Sequence, residues 1–273
     1  MKFGCIRSPL DLRDYKIKPG KVELPKSFSL EFDHKVKDQR LVNSCTAHAT
    51  ASILEYYANN EVRLSTNFIY GIRRKLFNDT GTGMTLRDAC KIVLKYGDME
   101  YADCPGNSEV SRVFDMAESA FKSKENVKTA LKYKIKAYVN LLNNVNKIKT
   151  FLMNEGPVLC CIKWTLGTDL DDNNILCYPD SDYGLSYHAV FIYGWDNDMW
   201  LCQNSWGDEW GDTGLFRLKM SDGLVETFGL MDSKDENLEV VDPTHNSEII
   251  DKLFKIINST ISIITKILKN KFN

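Results

Sequence analysis

Several things are missing from this 273-residue sequence, and each absence removes a class of protein. No stretch reaches the ~18 uncharged apolar residues that a membrane-spanning helix needs. The opening, MKFGCIRSPLDLRDYK, has no apolar core of signal-peptide length, because Arg7, Asp11, Arg13 and Asp14 interrupt it. The expectation is therefore a cytoplasmic chain, or one released without a signal peptide. Positive charge is not in excess: 35 Lys and Arg against 37 Asp and Glu leave a formal charge of −2. Proteins that read a nucleic-acid backbone carry a clear positive surplus, so no nucleic-acid partner is expected. The eight cysteines, at 5, 45, 90, 104, 160, 161, 177 and 202, form no CxxC pair. That gives no support to a zinc ribbon or a thioredoxin motif, and no metal site is expected. Without an export signal the thiols are expected to be reduced. Internal repeats and low-complexity segments are also lacking.

What remains is ordinary for a globular protein, with 43% hydrophobic and 26% charged residues. The length suits one large domain or two modest lobes. Residues 1–23 are polar and irregular, broken by Pro9 and Pro19, and read as an arm. The body is expected to start near Leu24-Pro25. From Cys45 to about Tyr57, Ala47, Ala51, Leu54 and Ala58 fall at helical spacing, with Asn43 and Ser44 as N-cap candidates. Further helices are expected over Leu64–Leu76, Met84–Tyr96 and Val145–Asn154, with Ser65 capping the first and Gly97 stopping the second. The pattern then changes to strands, in PVLCCIKW (157–164), YHAVFIYGW (187–195), MWLCQNSW (199–206) and GLFRLKM (214–220). Helices first and strands second argue for an α+β fold with a cleft between two lobes. The helical lobe would take about 24–130 and the β-rich lobe about 131–240.

Residues 241–273 stand apart. Ile250, Phe254, Ile257, Ile261, Ile264 and Leu268 repeat at alternating steps of four and three, with lysines off that seam. Three readings are open there: packing back on the body, self-association, or contact with a membrane surface.

Cysteine-based acyl transfer needs a thiol that can ionise, a base within reach, a group to orient that base and a donor for the oxyanion. Cys45 opens a predicted helix, where unpaired N–H groups and the helix dipole favour a thiolate and should lower its pKa. Four histidines could serve as base: 34, 48, 188 and 245. His48 lies on the same helix as Cys45 and reads as a packing residue at the lobe boundary. His188 opens a strand and can face the cleft from the other lobe. Sixteen residues later Asn204 could accept from the imidazole and fix its tautomer, with Trp206 shielding that bond. Gln39, six residues before Cys45, supplies an amide donor on the approach loop. The remaining cysteines read as structural, with Cys160 and Cys161 on opposite faces of one strand.

Four segments carry a resemblance: VKDQRLVNSCTAHA (36–49), NEGPVLCCI (154–162), YHAVFIYGW (187–195) and QNSWGDEWGDTGLFRLK (203–219). Across roughly 24–220 the chain resembles papain-family cysteine proteases of the cathepsin type. The resemblance implies a two-lobed fold. It implies Cys45 as nucleophile, His188 as general base and acid, Asn204 as its orienter, and Gln39 with the Cys45 backbone N–H as oxyanion hole. By position it also implies Gly83 as a backbone platform for an antiparallel peptide, and Met84 and Ala189 around a pocket for an apolar or aromatic side chain, with Trp206 nearby. The partner would be a peptide or protein substrate, and no cofactor would be required.

The sequence departs from the family at several points. Val42 stands where the family has a bridged cysteine, so that disulfide is absent. Asn43 replaces a glycine, Thr46 a tryptophan and His48 an aromatic, which bears on substrate preference more than on reaction class. The arm is far shorter than the family's inhibitory propeptide, and it is expected to lie at the cleft as a short gate. The expected activity is a cysteine endopeptidase working through an acyl-enzyme. A ligase or amidase using the same groups, and a catalytically silent binding module, are the alternatives.

Overall fold

The computed structural model describes residues 3–18, 23–31, 35–106, 109–232 and 240–241. The expected helix over 246–273, with His34 and His245, lies outside the described residues. In chain order the first elements are β1 (Cys5–Ile6), β2 (Lys16–Ile17), β3 (Ser27–Ser29), α1 (Cys45–Tyr57), α2 (Thr66–Phe77), β4 (Met84–Thr85), α3 (Leu86–Lys95), α4 (Val110–Ala120) and α5 (Lys124–Ala130). Then follow β5 (Ala137–Asn140), α6 (Val145–Asn154), β6 (Val158–Trp164), β7 (Asp169–Leu170), β8 (Leu176–Cys177), β9 (Ser186–Asp196), β10 (Met199–Gln203), β11 (Leu215–Lys219), β12 (Leu224–Met231) and β13 (Val240–Val241). The α+β division expected from the sequence is observed.

Local chemistry explains where the helices begin. Ser65 Oγ accepts from the Phe68 N–H at 3.0 Å and caps α2. The helix predicted from Met84 starts two residues late, at Leu86. Met84 and Thr85 are extended, and Thr85 Oγ1 caps α3 by accepting from the Asp88 N–H at 3.0 Å. Gly97, at φ 72°, ends it and returns its N–H to the Val93 carbonyl. Ser44 precedes α1 as expected, but its hydroxyl lies 3.2 Å from His48 Nδ1 and caps no backbone N–H.

Seven strands form one antiparallel sheet in the order β11-β10-β9-β6-β12-β5, with β3 also pairing to β9. β9 is therefore central, and Asn197 at φ 52° turns it tightly into β10. The two faces of β6 follow strand alternation. Leu159 and Cys161 join the core against the helices, while Val158, Cys160 and Ile162 pack on the other side with Phe151 of α6. β12, which pairs with both β6 and β5, was not marked by any alternating run in the sequence.

Arg73 is only 1% exposed and clamps the loop before β4. It pairs with Asp79 at 2.5 Å, donates to the carbonyls of Tyr70 and Gly81, and stacks on the Tyr70 ring. Tyr70 in turn accepts the Gly83 N–H at 3.1 Å. Among the described residues no helix is long and apolar enough to cross a membrane.

The N-terminal residues are less irregular than their composition suggests. β1 pairs parallel with β4, β2 pairs antiparallel with β13, and Ile17 is buried. Asp14 and Arg87 form a buried two-pronged ion pair, at 3.0 and 2.6 Å, and Arg87 also donates to the Pro9 carbonyl. Removing one partner of a buried pair strands the other charge. Asp14→Ala is therefore expected to destabilise the protein by about 3 kcal/mol. Urea unfolding of the two proteins measures this; a loss within the ~0.5 kcal/mol of a surface substitution would contradict it.

Candidate active site

Cys45 is the first residue of α1 and fully buried. Its sulfur accepts the backbone N–H of Ala189, on β9, at 3.4 Å. The helical lobe and the sheet thus meet at this thiol. His188, the residue before, is also fully buried, and its Nε2 lies 2.7 Å from Asn204 Oδ1. As Asn Oδ1 only accepts, Nε2 carries the hydrogen and Nδ1 holds the lone pair of the neutral ring. Nδ1 is buried with no hydrogen-bond partner among the described residues. Asn204 Oδ1 also accepts the Ser205 N–H at 2.7 Å, which fixes the amide.

Gln39 is bound to the same segment. Its backbone N–H donates to the Ser205 carbonyl at 2.9 Å, and its Oε1 accepts from Ser205 Oγ at 2.8 Å. Its Nε2 donates to the Val42 carbonyl at 3.0 Å. Ser205 therefore orients Gln39 and steadies Asn204, a role that sequence reading had not given it. Trp206 lies against the imidazole with ring centroids 4.6 Å apart. His48 is buried, and its Nδ1 lies 2.9 Å from the Ser44 carbonyl, as fits a packing residue.

Of the positions expected on the substrate side, Met84 bonds to the residue after Cys45 and Ala189 to the sulfur. Gly83 has φ 88°, a left-handed conformation suited to glycine. Met84 is buried, and its carbonyl accepts from Thr46 Oγ1 at 3.0 Å, tying the platform to the residue after Cys45. The Met84 N–H is taken by the Gly4 carbonyl at 2.7 Å. The Gly4 N–H also acts on the Cys45 sulfur, favouring its thiolate. Phe3 reaches the imidazole, with centroids 6.0 Å apart and the planes at 84°. The arm thus crosses the thiol itself. Phe3, Gly4 and Trp164, which also contacts His188, were given no role by the sequence.

That cover reverses one expectation. The Cys45 thiol was expected to be acidic, yet burial pushes its pKa up to about 11. N–H donors from Ala189, Gly4 and Thr46 pull the other way but do not compensate for lost water. Burial likewise pulls His188 down to about 4, against the raising effect of its bond to Asn204. In this closed arrangement the resting pair is neutral thiol and neutral imidazole. All eight cysteines are free, and seven of them are buried. Among the described residues no group of three or more His, Cys, Asp or Glu side chains could hold a metal ion.

Residues 24–233 match the sequence profile of papain family cysteine proteases. The chain belongs to that family. It is 27% identical over 215 residues to a viral cathepsin of Adoxophyes honmai nucleopolyhedrovirus, covering 72% of this chain and 58% of that protein. The chain thus spans little more than half of that papain-family relative. It is 26% identical over 286 aligned positions to an uncharacterized peptidase C1-like protein of Acanthamoeba polyphaga mimivirus, covering 90% and 89% of the two chains. The fold is similar to that of xylellain, a cysteine protease from Xylella fastidiosa, with a TM-score of 0.73 and 24% identity over 85% of this chain and 96% of that one. Digestive procathepsin L 3 of Tenebrio molitor is similar in fold as well, with a TM-score of 0.59 and 18% identity over 81% and 76%.

A thiol with pKa about 11 is protonated throughout neutral pH. At pH 7 it holds about 100-fold less thiolate than an unperturbed thiol, because each pKa unit is tenfold. Iodoacetamide labelling of the intact chain should therefore leave Cys45 almost untouched at pH 7 while exposed Cys177 reacts. Cys45 labelling should climb as pH rises toward 11. Peptide mass spectrometry reads both sites, and equal rates at pH 7 would contradict the closed, neutral site.

Proposed function

We propose that this chain is a cysteine endopeptidase that cleaves peptide or protein substrates through Cys45, His188, Asn204 and Gln39. The observation that carries this reading is the 2.7 Å His188–Asn204 bond beside a sulfur bonded to the next residue, Ala189. With the arm displaced, water and substrate re-enter and ionisation of the thiol becomes cheaper. His188 Nδ1 takes the thiol proton, and Asn204 steadies the imidazolium that results. The thiolate attacks the peptide carbonyl carbon. Gln39 Nε2–H and the Cys45 backbone N–H hold the oxyanion. The His188 imidazolium then gives its Nδ1 proton to the leaving amine as the C–N bond breaks, leaving a thioester on Cys45. A water molecule, deprotonated by His188, attacks that thioester and releases the acid and the thiol.

Gly83 and Met84 supply the backbone platform for the acyl side of the substrate, with Met84 and Ala189 beside its apolar side chain. The arm, residues 1–23, is the gate of this site. A substrate pairing antiparallel to β4 would run opposite to β1, which runs parallel to it. Gly4 lies between Phe3 on the imidazole and Cys5 on Met84, where a substrate would present a carbonyl carbon.

Cys45→Ala is expected to abolish turnover of a mixed fluorogenic peptide pool under reducing conditions. Gln39→Ala should lower kcat by about 100-fold or more, the usual effect of removing an oxyanion donor. Turnover that survives in the Cys45 variant would overturn the assignment. Mass analysis with an added amine should show acids as products, and amine adducts in their place would indicate a transferase.

Gly4 gives a second test. A Cβ there would overlap the Asn43 carbonyl oxygen, so Gly4→Ala cannot keep the arm seated. The intact chain carrying Gly4→Ala should show higher peptidase activity and faster Cys45 labelling at pH 7. Unchanged values for both would remove the gate.

A further inference from the structure

The arm marks more of the cleft than the thiol. Cys5 pairs with Met84 while Phe3, two residues earlier, reaches the His188 ring, so Phe3 lies on the imidazole side, away from the Gly83–Met84 platform. Its ring fills a corner made by three others. Ring centroids lie 5.6 Å from Trp164, 6.0 Å from His188 and 6.1 Å from Trp206. Trp164 and Trp206 meet edge to face at 4.9 Å.

Strand register builds this corner. Ile162 lies opposite His188 and Trp164 opposite Ser186, so His188 and Trp164 are diagonal neighbours on one face of the sheet. Their centroids are 5.9 Å apart with planes at 83°. Trp164 is 5% exposed, and Phe3 is part of its cover. A displaced arm leaves these apolar faces open to the cleft, beside the group that protonates the leaving amine.

We propose that Trp164 is a specificity-determining residue, forming with Trp206 an aromatic slot that takes a large aromatic side chain immediately after the scissile bond. The inference rests on the peptidase reading above, because it is that reading which puts the acyl half of the substrate on the Gly83–Met84 platform. The amine half must then leave across Trp164. Phe3 is the built-in occupant, and its ring contacts have the edge-to-face and tilted geometry that aromatic rings favour.

The test uses the intact chain and two internally quenched peptides that differ only in Phe or Ala after the cleaved bond, with the cut confirmed by mass spectrometry. The arm competes equally with both peptides, so its effect cancels in their ratio. Wild type should favour the Phe peptide in kcat/KM by about tenfold or more, the scale of one well-filled apolar pocket. Trp164→Ala should bring that ratio close to one, and Trp164→Phe, which keeps an aromatic wall, should restore most of it. A wild-type ratio near one, or a ratio unmoved by Trp164→Ala, overturns the proposal. Binding separates failure of the slot from failure of the peptidase reading. The intact chain with Cys45→Ala and Phe3→Ala is titrated with Phe-Ala-amide and Ala-Ala-amide by calorimetry. Tighter binding of the Phe compound, lost on adding Trp164→Ala, supports the slot even if no peptide is turned over. Equal binding of the two compounds overturns it.

Discussion

The site depends on strand β9 being held in a single register. It pairs with β6, β10 and β3, which leaves it no freedom to slide. A slip of one residue would exchange the two faces of the strand. Ala189 then could not offer its N–H to Cys45, and His188 could not reach Asn204. The thiol at the head of α1 is fixed from its own side by Thr46, which holds the Met84 carbonyl. Cys45, His188 and Met84 are therefore positioned largely by backbone pairing.

Desolvation sets the state of that site. Burial is the largest influence on Cys45, opposed by backbone N–H groups such as that of Ala189, which donates to the sulfur. Burial raises the thiol and lowers the imidazole, and both shifts favour the uncharged pair. In the proposed reading, the arm that would block access would also withhold the charge separation on which the chemistry relies. Access and ionisation are coupled, because both turn on whether water can reach the sulfur.

Rigidity around the platform comes from polar groups. Val42 occupies a position where the papain family commonly has a bridged cysteine, and it is simply buried. The loop leading to Gly83 is held by the fully buried Arg73 guanidinium, which reaches Asp79, Gly81 and Tyr70 at once. Such a planar, forked cation can satisfy several acceptors in fixed directions, which lysine could not do. The arm is fixed in a comparable way by Arg87 on Asp14 and Pro9. Two buried arginines thus fix the loop before β4 and the arm that pairs with β4.

The sequence by itself determined the local elements and the chemical inventory. Helical spacing after Cys45, the serine cap at 65 and the alternating runs around 158–164 and 186–196 are set by neighbouring residues, and local sequence can encode them. The spacing of Gln39, Cys45, His188 and Asn204 was also legible, because the residue types and their order reflect the chemistry they suit. Tertiary structure alone decided the rest. β12 has weak alternation and exists because β6 and β5 offer it partners on both sides. Met84–Thr85 left the predicted helix because a distant strand, Cys5–Ile6, pairs with it. The basicity of Cys45 could not be read from its helix position, since the helix terminus is local while the burial that outweighs it comes from a core shared with Cys5, Cys161 and Ala189, all remote in sequence. Contacts between residues remote in the chain cost loop-closure entropy and follow from the packing of the whole. No window of sequence contains them.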